Sequence, residues 1–202
     1  MARGVGKSAV AHTAPPRIIL GIDPGLDRTG YAVIEFPSTR VLDAGVIRSD
    51  ATLLLPRRLV EIASGLDEVL AEHTIGLVAV EDLFAHYKHP RTAILMGHAR
   101  GVALVAAARR GIDVMNILPT RVKKMLTGNG HASKLQMQRA ITSTLRLPKI
   151  PEPPDVADAL AIAWCASMLH RAGERVTDAT SKTVTTMNLV RRSRRRLAGV
   201  VA

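Results

Sequence analysis

Short apolar runs and longer segments of helical spacing alternate along this chain. The runs at residues 17–23, 30–36 and 40–49 are separated by Pro, Gly, Ser and Thr residues, which is typical of strands joined by turns. Three strands in succession predict an antiparallel meander. Residues 53–73 then space their apolar side chains at helical intervals, which predicts an amphipathic helix.

The same alternation continues through the second half of the chain. An apolar run at residues 75–83 predicts a fourth strand, residues 91–110 a helix, and residues 112–119 a fifth strand. Two basic helices are predicted at 120–126 and 133–147, and a final apolar helix follows. This order of elements predicts an α/β domain in which a mixed five-stranded sheet is flanked by helices on both faces.

The composition fits one domain with two tails. The chain has 202 residues, of which 47% are hydrophobic and only 2% aromatic, so it can bury a sizeable, aliphatic core. We predict the domain at residues 17–172, a flexible basic lead-in at 1–16 and a disordered basic tail at 173–202. Cys165, the single cysteine, lies in an apolar stretch and is expected in the core.

The chain shows no sign of a membrane or secretory segment. No run approaches the ~20 apolar residues that a spanning helix requires, and the first 16 residues lack the apolar stretch of a signal peptide. We therefore expect a cytoplasmic protein that does not enter a membrane.

The net charge of +11 is concentrated in particular segments, including one inside the domain. Residues 114–151 contain no acid and seven basic residues: Arg121, Lys123, Lys124, Lys134, Arg139, Arg146 and Lys149. Such a segment is typical of a surface that binds the phosphates of a nucleic acid. A solvated basic helix face is the alternative that the charge pattern alone leaves open.

Four acids stand where structure does not require them. Asp155 and Asp158 enter an apolar helix immediately after Pro153 and Pro154, and only Asp155 is explained by helix capping. Asp23 and Glu81 each end an apolar strand, and their side chains meet at one sheet edge if those strands are neighbours. Four carboxylates form an oxygen cage suited to Mg²⁺ or Mn²⁺, and two such ions promote attack of water on a phosphodiester.

Five motifs in order resemble the RuvC family of bacterial Holliday junction resolvases. They span about three quarters of the chain and read GIDPGLDRTGYAVIE, VEDLFAHYK, GHARGVALVAA, GNGHASKLQMQ and PPDVADALAIA. The resemblance implies a ribonuclease-H-like fold and a homodimer. It further implies a metal-dependent crossover junction endodeoxyribonuclease that nicks two strands of a four-way DNA junction symmetrically, in recombination and DNA repair. A branch-migration motor complex is a further partner implied by the family.

The same resemblance assigns roles to individual residues. It makes Asp23, Glu81, Asp155 and Asp158 the metal ligands, with two Mg²⁺ ions per subunit for which Mn²⁺ can substitute. Lys134 matches a catalytic basic residue and, with Lys123, lies near the scissile phosphate. Phe84 matches an aromatic residue that contacts an unstacked base at the junction centre. We predict further DNA contacts at Lys88, Arg91, Arg121, Lys124 and Arg139.

The chain departs from the family pattern at two places inside the motifs. Asp82 and His98 stand where we expect glutamine, and the two terminal segments lie outside the resemblance. Between them, the GHARGVALVAA helix carries small residues at Gly97, Ala99 and Gly101. It suits either an ordinary buried helix or close packing against a symmetry mate, and the resemblance favours the dimer.

Several other functions remain as alternatives. A nuclease of the same fold can act on RNA–DNA hybrids or on branched DNA generally, and a non-catalytic module can bind junctions without cleaving them. The segment GIDPGLDRTG also resembles a phosphate loop of the actin and sugar-kinase class, although those proteins usually need two such domains. The sequence GVGKS at residues 4–8 lacks the first glycine of a P-loop and a preceding strand. The seven histidines lack the spacing of a zinc site.

Overall fold

The computed structural model describes residues 17–83 and 90–173, and the predicted lead-in and tail lie almost entirely outside these residues. Five strands and five helices occur in the described ranges. The strands are β1 (Ile18–Asp23), β2 (Arg28–Glu35), β3 (Val41–Arg48), β4 (Leu77–Glu81) and β5 (Asp113–Ile117). The helices are α1 (Leu55–Glu72), α2 (Pro90–Arg109), α3 (Pro119–Thr127), α4 (Lys134–Thr144) and α5 (Pro154–Arg171).

The five strands form one mixed sheet in the order β3-β2-β1-β4-β5. The antiparallel pairing of β1 with β2 and of β2 with β3 confirms the predicted meander. Strands β4 and β5 join as parallel neighbours, with β4 directly beside β1. The C-terminal ends of β1, β4 and β5 therefore lie at the same edge of the sheet.

Helices cover both faces of the sheet, as predicted. One apolar core lies between the sheet and α1 with α2, and it includes the buried residues Ile62 and Leu66 of α1. The other core lies between the sheet and α3, α4 and α5. Cys165 is a buried member of this second core, which confirms its predicted position.

Helix α5 is buried on nearly all sides. Its alanines at positions 157, 159, 161, 163 and 166 are at most 1% exposed, so the helix can approach the strands closely. None of the helices in the described ranges has the length and apolar character needed to span a membrane.

Candidate active site

Two carboxylates meet at the end of the sheet because their strands are parallel neighbours. Asp23 is the last residue of β1 and Glu81 the last of β4, and the two strands pair in register through Ile22 and Val80. The carboxyl group of Glu81 donates a hydrogen bond to Asp23. The structure thus brings together the two strand-end acids that the sequence places about 60 residues apart.

Close packing of α5 on the sheet adds two more acids to this edge. A Cβ atom at Gly21 would lie 2.5 Å from the main-chain oxygen of Ala159, and one at Gly30 would lie 2.2 Å from that of Asp155. Only glycine allows a helix to come so near to the strands. The first two turns of α5 therefore carry Asp155 and Asp158 to the ends of β1 and β4.

Burial and mutual repulsion disfavour the ionised state of these acids. Burial, followed by the charges of Asp158 and Asp155, raises the pKa of Asp23 to about 7. Burial and then the charge of Asp23 raise the pKa of Glu81 to about 8. Burial also raises the pKa of Asp158. Buried carboxylates with raised pKa values are typical of functional sites, because they need a cation for full ionisation.

Two lysines supply part of the missing positive charge. Lys123 of α3 and Lys134 of α4 line the same cleft of about 660 Å³ as the four acids. The charge of Lys134 lowers the pKa values of Asp158 and Asp23, against the stronger effect of burial. A capping box between Ser133 and Gln136 fixes the start of α4 at Lys134.

The residues of the cleft fit a divalent metal site. Four carboxylates provide hard oxygen ligands, and the repulsion among them is not fully offset by the lysines. A Mg²⁺ or Mn²⁺ ion prefers such ligands and removes that repulsion. Chemically, the arrangement suits the hydrolysis of a phosphate ester, since the acids and the lysines face the same open space.

The remaining predicted DNA contacts fall into two groups. Arg91, Arg121, Lys124 and Arg139 lie exposed on α2, α3 and α4; their contact with DNA stays a prediction. Phe84 and Lys88 lie outside the described residues.

Two arginines of the site were not found from the sequence. Arg28, which also lines the cleft, forms an ion pair with Asp155, with 3.4 Å between Nε and Oδ2. The predicted second strand begins at residue 30, two residues too late, and therefore leaves Arg28 outside the strand. An earlier strand start would have placed Arg28 on the same face as Gly30, because side chains alternate along a strand.

Arg100 anchors the end of β4 from α2. Its Nε donates to the main-chain oxygen of Glu81 at 3.2 Å, and one Nη donates to Asn116 at 2.6 Å and pairs with Asp82 at 3.2 Å. Asp82, one of the two departures from the family pattern, thus has a structural partner. The single arginine within the otherwise small and apolar stretch ARGVALVAA of α2 was the available signal.

A second acidic group lies away from the cleft, where β3 meets the end of α1. Asp43, Glu72 and His73 each offer a ligand atom, and these atoms lie within 4.8 Å of one another. His73 pairs with Asp43 at 3.7 Å, and the Tyr31 hydroxyl donates a hydrogen bond to Asp43. We call these three residues the edge group. The sequence analysis did not identify it, because its members come from elements about 30 residues apart.

Comparison with known proteins identifies relatives over most of the chain. The family model described as crossover junction endodeoxyribonuclease RuvC matches residues 19–166. A protein of that name from Rhodopirellula baltica is 57% identical over 153 residues, which cover 75% of this chain and 86% of the relative. Another, from Alkaliphilus oremlandii, is 44% identical over 150 residues, which cover 73% and 91%.

Solved structures agree with the sequence relatives. The Thermus thermophilus structure described as RuvC in complex with Holliday junction substrate is similar with a TM-score of 0.73 and 33% identity, over 78% of this chain and 97% of that chain. The yeast mitochondrial Holliday junction resolvase Ydc2 shares the fold, with a TM-score of 0.51 and 16% identity over 79% and 82%. The chain belongs to the RuvC family of crossover junction endodeoxyribonucleases.

Proposed function

We propose that the protein is a metal-dependent endonuclease that resolves four-way DNA junctions by paired, symmetric nicks. One observation carries this proposal: four carboxylates and two lysines from five different elements line a single cleft. Membership of the family and the similarity to a RuvC structure with Holliday junction substrate support the choice of substrate. Recombination and DNA repair are the processes in which such junctions arise.

The acids of the cleft are assigned to metal binding. Asp23, Glu81, Asp155 and Asp158 would hold two Mg²⁺ ions, for which Mn²⁺ can substitute. When bound, such ions lower the pKa of an attacking water and stabilise negative charge on the phosphate. The charged lysine ammonium groups of Lys134 and Lys123 face the same cleft and would stabilise charge that develops on the phosphate oxygens.

Symmetric cleavage of two strands requires two copies of this cleft. Helix α2 presents an exposed stripe at Ile94, His98, Gly101 and Val105, in which Ile94 is 62% and Val105 50% exposed. A Cβ atom at Gly101 would meet no atom within 4 Å. We propose that this stripe forms a two-fold homodimer interface, because spacings of four, three and four residues place these side chains, including the exposed apolar ones of Ile94 and Val105, on one side of the helix. A branch-migration motor complex is a further proposed partner.

Cleavage of an end-labelled synthetic four-way junction with a mobile core tests the proposal. The protein is incubated with the junction in Mg²⁺ and in EDTA, beside a linear duplex and an RNA–DNA hybrid of the same sequence. We expect paired nicks at symmetric positions on the junction, only in Mg²⁺ and not with Asp158→Asn. Preferential cleavage of the hybrid would contradict the four-way junction as substrate, but it would agree with the proposed metal site. Tight binding of the junction without nicks in Mg²⁺ would contradict an enzymatic role.

A further inference from the structure

Arg28 lies directly beside one of the proposed metal ligands. Its Nε is 3.4 Å from Oδ2 of Asp155. The Arg28 side chain is 48% exposed and that of Asp155 24%, so the pair is at the open side of the cleft. Asp155 is partly buried, as are the other three acids of the cleft.

The position of Arg28 is a consequence of the sheet register. Gly30 pairs with Asp23 on β1, and its main chain touches the first turn of α5 at Asp155. Arg28 precedes Gly30 by two residues in the same strand, so both point toward the face on which α5 lies. The glycine contact between β2 and α5 therefore brings the Arg28 side chain within reach of Asp155.

A guanidinium and a divalent cation compete for the same carboxylate. Pairing with Arg28 neutralises part of the charge that Asp155 offers to a metal, and an adjacent positive charge repels the ion. The arginine donors match a phosphate as well as a carboxylate, and the fork geometry allows bidentate contact with either. Lys123 and Lys134 lack this geometry, since an ammonium acts as a point charge.

We propose that Arg28 exchanges partners: it pairs with Asp155 in the metal-free protein and with a DNA phosphate once metal occupies the carboxylate. The inference rests on the proposed function of the four acids. Its consequence is that Arg28 weakens metal binding in the absence of DNA and strengthens DNA binding in the presence of metal. Loading of the metal is thereby favoured when substrate is present.

Arg28→Gln tests this exchange with two independent readouts. At pH 8 and without DNA, the Kd for Mn²⁺, measured by electron paramagnetic resonance of the free ion, should fall roughly tenfold, because one charge next to the ion is removed. In saturating Mn²⁺, the KM for the four-way junction should rise about tenfold through loss of a charged phosphate contact. Arg28→Lys should give intermediate values of both.

Arg110→Gln is the matched control for charge and for loss of an ion pair. Arg110 pairs with Asp67 at 2.6 Å, and it lies between α2 and the start of β5, at the opposite end of the parallel strands from the cleft. Arg110→Gln should leave the Mn²⁺ Kd and the junction KM within about twofold of the wild-type values, because surface charges at that distance are screened. An unchanged Mn²⁺ Kd or an unchanged KM in Arg28→Gln would overturn the exchange.

Asp158→Asn separates this proposal from the function on which it rests. If the wild-type protein binds Mn²⁺ and Asp158→Asn does not, the metal site stands, and a negative result with Arg28→Gln refutes the exchange alone. If Asp158→Asn binds Mn²⁺ as tightly as the wild type, the proposed assignment of the metal ligands fails, and the exchange fails with it.

Discussion

The cleft that holds the four proposed metal ligands and the edge group both contain acids, but their environments differ. The edge group is the more compact by ligand spacing, with all its ligand atoms within 4.8 Å. However, Asp43 already accepts a hydrogen bond from Tyr31 and pairs with His73, and Glu72 is exposed to solvent. These partners leave the edge group with little need for a metal ion.

The cleft acids instead lack sufficient partners. Asp23 and Glu81 share one hydrogen bond, and burial raises the pKa values of both. Ionisation of both groups requires positive charge beyond that of Lys123 and Lys134. An unmet demand for charge, and not the proximity of acids, thus separates the proposed metal site from the edge group.

Removing one acid from each group should give the largest difference between them. We expect Asp23→Asn to reduce junction cleavage in Mg²⁺ by at least ~10³-fold, because metal stabilisation contributes several kcal/mol to the transition state. Asp43→Asn should leave the rate unchanged. Single-turnover cleavage of the labelled junction measures both. Equal loss of activity in the two variants would remove the functional distinction between the groups.

The pH dependence of stability should also separate the two groups. Without metal, folded Asp23 and Glu81 have pKa values of about 7 and about 8, whereas in the unfolded chain they lose their protons near the ordinary pKa values of 3.8 and 4.5. The folded state thus binds more protons over this window, so the free energy of unfolding falls as pH rises from about 4 to 8. We expect the free energy of unfolding to fall by roughly a few kcal/mol over this pH range.

Urea unfolding in EDTA at a series of pH values measures this effect, and the slopes of the variants are compared with that of the wild type. In Asp23→Asn, the free energy of unfolding should fall less steeply with pH, because the variant has one titrating acid fewer. The variant should therefore be more stable than the wild type at pH 8. Asp43→Asn should keep the wild-type slope. Saturating Mg²⁺ should restore the stability of the wild type at pH 8. A wild-type slope in Asp23→Asn would contradict the burial that we assign to this carboxylate.

The fold was predictable because its patterns are local. Apolar runs and turn residues predicted the five strands, and the apolar run before Glu81 placed that acid at a strand end. The adjacency of β1 and β4 was a condition in that reasoning, and the structure supplies it. The packing of α5 against Gly21 and Gly30 could not be predicted, because those contacts join residues more than 120 positions apart.

The sequence was sufficient to predict which acids lie together in the cleft, and it was less informative about their partners. The family resemblance predicted all four acids together with Lys123 and Lys134. Arg28 and Arg100 were missed because their roles depend on the register of β2 and on the contact of α2 with β5. The sequence pattern gives the face of a residue only when the element boundary is correct, and here β2 begins at Arg28 and not at residue 30.

The smallest expected effect concerns the edge group itself. Burial, then the charge of Asp43 and its hydrogen bond, raises the pKa of Tyr31. In Asp43→Asn this pKa should therefore fall toward its ordinary value, while the free energy of unfolding at neutral pH should change by less than ~1 kcal/mol. Absorbance of the tyrosinate measures the titration in a Tyr87→Phe background, since the chain has two tyrosines. An unchanged pKa of Tyr31 would mean that the Asp43 carboxylate is not held by this hydrogen bond, and His73 would then be the partner on which the contrast with the cleft depends.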